Sequence, residues 1–128
     1  MPINSRAKGK VGELELVKFL ISHGFAARRG VQHKGGPDSP DVICPDLPGV
    51  HLECKRVEVG NLYKWYHQAC GDAAVGEVPV VAHRRNREPW VAVIGLWDLL
   101  DLYRKAYGRD GQDIGPGAAG NAPRAEAA

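Results

Sequence analysis

At 128 residues and a net charge of +2, the chain is long enough for one domain with one core and too short for two. Its 44% hydrophobic and 25% charged content excludes wholesale disorder. No apolar run approaches the roughly 18 residues of a membrane span. The basic start also lacks the apolar stretch of a signal peptide, so a cytoplasmic protein is expected.

Residues 7–23 read as a helix, because Leu14, Leu16, Val17, Leu20 and Ile21 recur at helical spacing and Gly24 supplies a stop. Residues 25–29 suggest a short strand and 30–40 a loop rich in glycine and proline. A strand is expected at 41–44, then a Pro-Asp-Leu-Pro-Gly turn, then a central strand at 50–57. Asn61 is a good N-cap for a helix over 62–75, with Leu62, Trp65, Tyr66, Ala69 and Ala73 on its apolar face. Strands at 78–83 and 90–94 flank the basic loop 84–89. Leu96, Leu99, Leu100 and Tyr103 form the inward stripe of a last helix ending near Gly108. Residues 108–128 turn to Gly, Ala and Pro without periodicity and are expected to be a flexible tail.

Cys44, Cys54 and Cys70 are widely spaced, and no Cys-x-x-Cys pair is present, so buried thiols are expected rather than a zinc site. The basic residues gather in knots: Arg6, Lys8 and Lys10; Arg28, Arg29 and Lys34; Arg84, Arg85 and Arg87. Such knots can follow a phosphate backbone, or can be no more than solvated loops.

The stretch that carries chemistry is Pro40-Asp41 followed by Leu52-Glu53-Cys54-Lys55. Alternation along a strand puts Glu53 and Lys55 on one face, with Val50, Leu52 and Cys54 on the other. Carboxylate oxygens are hard ligands of the kind Mg²⁺ takes, and an activated water could attack a phosphodiester. By itself Glu-x-Lys is also a common surface pair on a sheet. Glu13 adds to the pattern: at about 100° per residue, Leu16, Val17 and Leu20 lie within about 60° of it. A carboxylate turned toward a core needs a cation, a hydrogen bond or a proton. Asp38 competes with Asp41 as the aspartate of this set, but does not open a strand.

Glu13, Pro40-Asp41 and Glu53-Cys54-Lys55, in this order, resemble the motif set of the PD-(D/E)xK nuclease superfamily. The run from Asn4 to about Tyr107 is similar to its Holliday junction resolvase branch, found in archaea and phages. The resemblance implies an α/β restriction-endonuclease-like core over residues 1–107. Its central mixed sheet is flanked by helices in the order α-β-β-β-α-β-β-α. It implies a homodimeric Mg²⁺- or Mn²⁺-dependent endonuclease cutting four-way DNA junctions. Asp41, Glu53, Glu13 and the Cys54 carbonyl would then serve the metal, and Lys55 would orient water or stabilise charge. Gln68 resembles a helical glutamine that flanks some sites of the superfamily. The loop 30–36 lacks a serine that the archaeal branch carries. A nuclease of the same fold acting on flaps, nicks or a defined sequence is the alternative, and a non-catalytic DNA-binding module is a third reading.

Overall fold

A computed structural model describes residues 5–30 and 40–108, with side chains from Lys8 onward. The elements follow the expected order: α1 (Ser5–Ser22), β1 (Arg28–Arg29), β2 (Val42–Ile43), β3 (Val50–Arg56), α2 (Leu62–Asp72), β4 (Val78–Arg84), β5 (Val91–Ile94) and α3 (Leu96–Tyr107). The five strands form one mixed sheet in the order β1-β2-β3-β4-β5. β1 and β2 are antiparallel, β2 and β3 antiparallel, and β3 and β4 parallel. The chain is therefore an α/β protein with a five-stranded mixed sheet and helices.

Local chemistry sets the element ends. α1 closes in a Schellman arrangement: Gly24 takes φ +90°, its N–H donates to the Ile21 carbonyl, and the Phe25 N–H donates to Leu20. The Ala26 N–H then donates to Asp46 Oδ2 at 2.8 Å. With these two backbone donors committed elsewhere, β1 shrinks to two residues instead of the five expected over 25–29. β2 is likewise short, its register running Arg28↔Ile43 and Arg29↔Val42. Asn61 caps α2 as expected, accepting from the Lys64 N–H at 3.0 Å. That helix stops at Asp72 rather than residue 75, because Glu77 Oε1 accepts the Ala74 N–H and Gly76 turns the chain at φ +88°.

The helices α1 and α2 cover opposite faces of the sheet. Arg56 of β3 meets Gly12 and Glu15 of α1, whereas its neighbour Lys55 reaches Gln68 of α2. Successive strand residues point to opposite faces, so the two helices must lie on different sides. On the α1 side, Leu16, Val17, Val42, Cys44, Leu52 and Ala82 form the buried core. The α2 helix contributes buried Tyr66 and Ala69.

The described residues fall in two compact units, dividing between Val93 and Ile94. In the second unit, α3 ends at Gly108, which takes the left-handed conformation and donates its N–H to the Arg104 carbonyl. Its expected inward stripe is not buried: Leu96 is 69% exposed, and Leu99, Leu100 and Tyr103 are exposed as well. The spacing was helical, but periodicity says only that a helix has an apolar stripe, not that this chain covers it. No helix among the described residues is long and apolar enough to cross a membrane. The tail expected after Gly108 and the loop residue Lys34 lie outside the described residues.

Candidate active site

The site is built where β2 and β3 part. Asp41 donates its N–H to the Leu52 carbonyl at 3.1 Å, and Val42 pairs with Leu52. Carried one step further, that antiparallel register sets Asp41 opposite Glu53. The next β3 amide, that of Cys54, donates to Asp41 Oδ2 at 2.8 Å rather than to a strand carbonyl. A side chain thus closes the ladder at the point where the sheet opens. The N–H and C=O of one strand residue point to the same edge, so the Cys54 carbonyl is directed toward the Asp41 edge too.

Gly30 draws this corner tight. Its N–H donates to the Asp41 carbonyl at 2.9 Å, and a Cβ there would stand 2.0 Å from the Pro40 carbonyl oxygen. Only glycine permits that approach.

Glu53 is 3% exposed and lies on the α2 side of β3 with His51 and Lys55. Its Oε1 stands 2.8 Å from His51 Nε2. Burial raises the proton affinity of Glu53 most; the His51 bond opposes this, and the neighbouring Asp41 charge adds to it, leaving the pKa at about 7. Burial alone would lower the pKa of His51, but the bond to Glu53 and the charges of Glu53, Glu77 and Asp72 outweigh it and the net shift is upward.

Glu13 enters from α1, 8% exposed beside buried Leu16 and Val17, as its place on the apolar face requires. Burial raises its pKa; the Arg29 bond lowers it, and Asp41 pushes it up again. Asp41 therefore lies close enough to act electrostatically on both glutamates, one from each side of the sheet. Cys54 feels the same field. Burial first, then Asp41, Glu13 and Glu15, push its thiol up to about 12, which keeps this half-buried group in the unreactive thiol form.

Lys55 Nζ donates to Gln68 Oε1 at 3.1 Å, so the exposed helical glutamine does flank Lys55. Arg29 and Arg84, expected as phosphate contacts, are neutralised within the protein. Arg29 pairs with Glu13 at 2.9 Å, and Arg84 with Glu15, while Arg84 Nε also donates to the Glu88 carbonyl. Neither charge could be foreseen as engaged, since each partner lies on α1, far away in sequence. Arg56 belongs to the same lattice, bonding Glu15, Glu58 and Asn86. By contrast Lys8, Lys10, Arg28, Arg85 and Arg87 are exposed, Arg85 with only a loose 3.7 Å ion pair to Glu88, and the Arg6 side chain lies outside the described residues.

Sequence reasoning passed over His51 and Glu77. For His51 a signal existed, because strand alternation places it on the face of Glu53 and Lys55. For Glu77, twenty-four residues beyond Glu53, there was none.

Among the described residues, no three His, Cys, Asp or Glu side chains are arranged as a ready cage for a metal ion. Glu13, Asp41 and Glu53 are each engaged by a protein donor, namely Arg29, the Cys54 amide and His51, and Asp41 and Glu53 also bond side chain to side chain. The donor set nonetheless fits Mg²⁺ or Mn²⁺. Mg²⁺ is commonly held by one or two carboxylates with the remaining positions left to water, so Asp41 and Glu53 suffice. Their mutual repulsion and burial are what a divalent cation would relieve.

No protein-family model and no curated protein sequence matches the chain. Among solved structures, it is similar to Hjc of Archaeoglobus fulgidus, described as a Holliday junction resolvase from an archaeal hyperthermophile. The two share 22% identity at a TM-score of 0.49, over 64% of this chain and 72% of the other.

Proposed function

We propose that this chain is a metal-dependent DNA endonuclease that resolves four-way junctions. The observation that carries the reading is that Asp41, fixed at the edge of β3 by the Cys54 amide, neighbours Glu53 and acts electrostatically on both Glu53 and Glu13, with Lys55 on the face of Glu53. A DNA-binding module gains nothing from buried carboxylates gathered near phosphate, which repel it.

In this reading Asp41 and Glu53 would hold Mg²⁺ or Mn²⁺, with the Cys54 carbonyl and Glu13 as further groups that would serve it. When bound, the cation supplies Lewis-acid stabilisation of the phosphoryl oxygens and makes an attacking water more acidic. Lys55, steadied by Gln68, presents its ammonium to the phosphate or to the attacking water and stabilises the charge that develops. Glu13 and Arg29 neutralise each other, so the Glu13 carboxylate stays in place without repelling the backbone of the DNA. Arg28, Arg85, Arg87, Lys8 and Lys10 remain to contact phosphates. A four-way junction is nearly two-fold symmetric and needs two cuts, so a C₂ dimer with one site per subunit is the working unit.

Incubating purified protein with labelled junction, flap, nicked and linear duplexes in Mg²⁺ tests this. Paired, symmetric cuts in the junction are expected, abolished in Asp41→Asn and Glu53→Gln while DNA binding survives. Light scattering without DNA should return a dimer mass. Cleavage of all substrates alike by a monomer would replace junction resolution with a general nuclease of the same fold. Mg²⁺-dependent cutting by either variant would overturn the site.

A further inference from the structure

His51 is among the most deeply buried side chains of the described residues, 1% exposed and paired in register with Pro79 on β4. An imidazole in such a place needs its N–H paired. Nε2 meets Glu53 Oε1 at 2.8 Å, and Nδ1 lies 3.7 Å from Glu77 Oε1, within ion-pair reach but beyond a hydrogen bond. Glu77 is itself anchored at the α2–β4 turn, where Oε1 accepts the Ala74 N–H at 2.8 Å. A row of three side chains therefore runs from that turn to the carboxylate at the open edge of the sheet. It fixes the rotamer of Glu53 from behind and commits Oε1 of the carboxylate.

We propose that His51 is a positioning residue, whose Nε2–H holds the Glu53 carboxylate in the orientation that lets it bind a divalent cation. The proposal rests on the reading of Asp41 and Glu53 as metal ligands and adds a residue to it. Groups that orient metal ligands commonly matter 10–100-fold for affinity, because an unheld carboxylate loses rotamer freedom on binding and offers the wrong oxygen part of the time. In His51 the ring nitrogen at the far end of the side chain makes the contact. Glutamine can place an amide N–H at that reach. Asparagine can reach only the position of Nδ1.

The experiment measures Mn²⁺ binding to the full chain without DNA, by titration calorimetry and by the loss of the free-ion paramagnetic resonance signal. Wild type, His51→Gln, His51→Asn and Glu53→Gln are compared, with melting of each in chelator as the check on folding. Expected are roughly 10–100-fold weaker binding in His51→Asn and recovery to within about threefold of wild type in His51→Gln. Wild-type affinity in folded His51→Asn overturns the proposal, and so does a His51→Gln variant as weak as His51→Asn. Unchanged binding in Glu53→Gln, or none in wild type, removes the metal-site reading itself. Should the asparagine variant not fold, nitrogen-15 spectra of wild type decide. The His51 Nε2 resonance should move on Mg²⁺ addition while that of His23, in the turn just after α1, stays; a stationary His51 signal overturns the proposal.

Discussion

Replacing Gly30 with alanine isolates how tightly the corner at Asp41 is drawn. The added Cβ would stand 2.0 Å from the Pro40 carbonyl oxygen and 3.2 Å from its carbon, against about 3.4 Å for ordinary contact. The difference between 3.4 and 2.0 Å, about 1.4 Å, has to be taken up by backbone on both sides. The obstacle is a main-chain carbonyl one residue before Asp41, so no flexible side chain can swing away. Overpacking of this kind costs about 1–3 kcal/mol, and stretching the Gly30–Asp41 bond adds about 1 kcal/mol. Unfolding in urea should show a loss of roughly 2–4 kcal/mol, equivalent to roughly 6–20 °C in melting temperature. Cleavage should suffer more than stability does, since a displacement of about 1 Å of a group that binds the reacting centre can cost about 10²-fold. Gly24→Ala is the matched control: with φ at +90° and open space around it, it is strained by about 1–2 kcal/mol yet lies away from Asp41. Its stability should fall while the rate per folded molecule stays. A Gly30→Ala protein of wild-type stability would refute the packing, and one that is destabilised but cuts at the wild-type rate would refute the coupling of this corner to the site.

Other outcomes follow from single contacts. The folded pKa of Glu53, about 7, lies above its unfolded value near 4.5, so its contribution to stability is present below pH 4.5 and is lost as pH rises toward 7. Metal-free protein should thus lose on the order of 3 kcal/mol over that window, a slope that chemical denaturation at stepped pH should find flattened in Glu53→Gln. The raised pKa of His51 carries the decline further upward in pH. Gly12→Ala gains about 1 kcal/mol of helix propensity, but its Cβ meets Arg56 Cβ at 2.6 Å, so net destabilisation of about 1–2 kcal/mol is expected in urea. Arg87 sits at φ 65°, where glycine is at ease. Arg87→Gly should therefore hold or raise stability by up to about 1 kcal/mol, while the slope of log affinity for DNA against log salt becomes shallower by about 0.9. An unchanged slope would mean that this loop does not touch phosphate.

The order of elements and several of their ends could be read directly, because they depend on chemistry within a few residues. Gly24 stops α1, Asn61 starts α2 and Gly108 ends α3 through contacts no more than five residues long. The burial of Glu13 was also legible, since helical spacing places it with Leu16 and Val17 whatever else the chain does. Strand alternation likewise put Glu53 with Lys55, and would have put His51 with them. What spacing cannot express is which partner arrives from elsewhere in the chain. The pairing of Arg29 with Glu13 and of Arg84 with Glu15 engages two residues expected to face phosphate, across separations of 16 and 69 residues. The stripe on α3 reads the same whether it is covered or exposed, and only the folded chain shows it exposed. The opening of the sheet at Asp41, where a carboxylate takes the Cys54 amide in place of a strand, depends on the register of two distant segments. Local propensity is written in neighbours, whereas register and ion pairing are decided by the energy of the whole assembled sheet, and so appeared only with the tertiary structure.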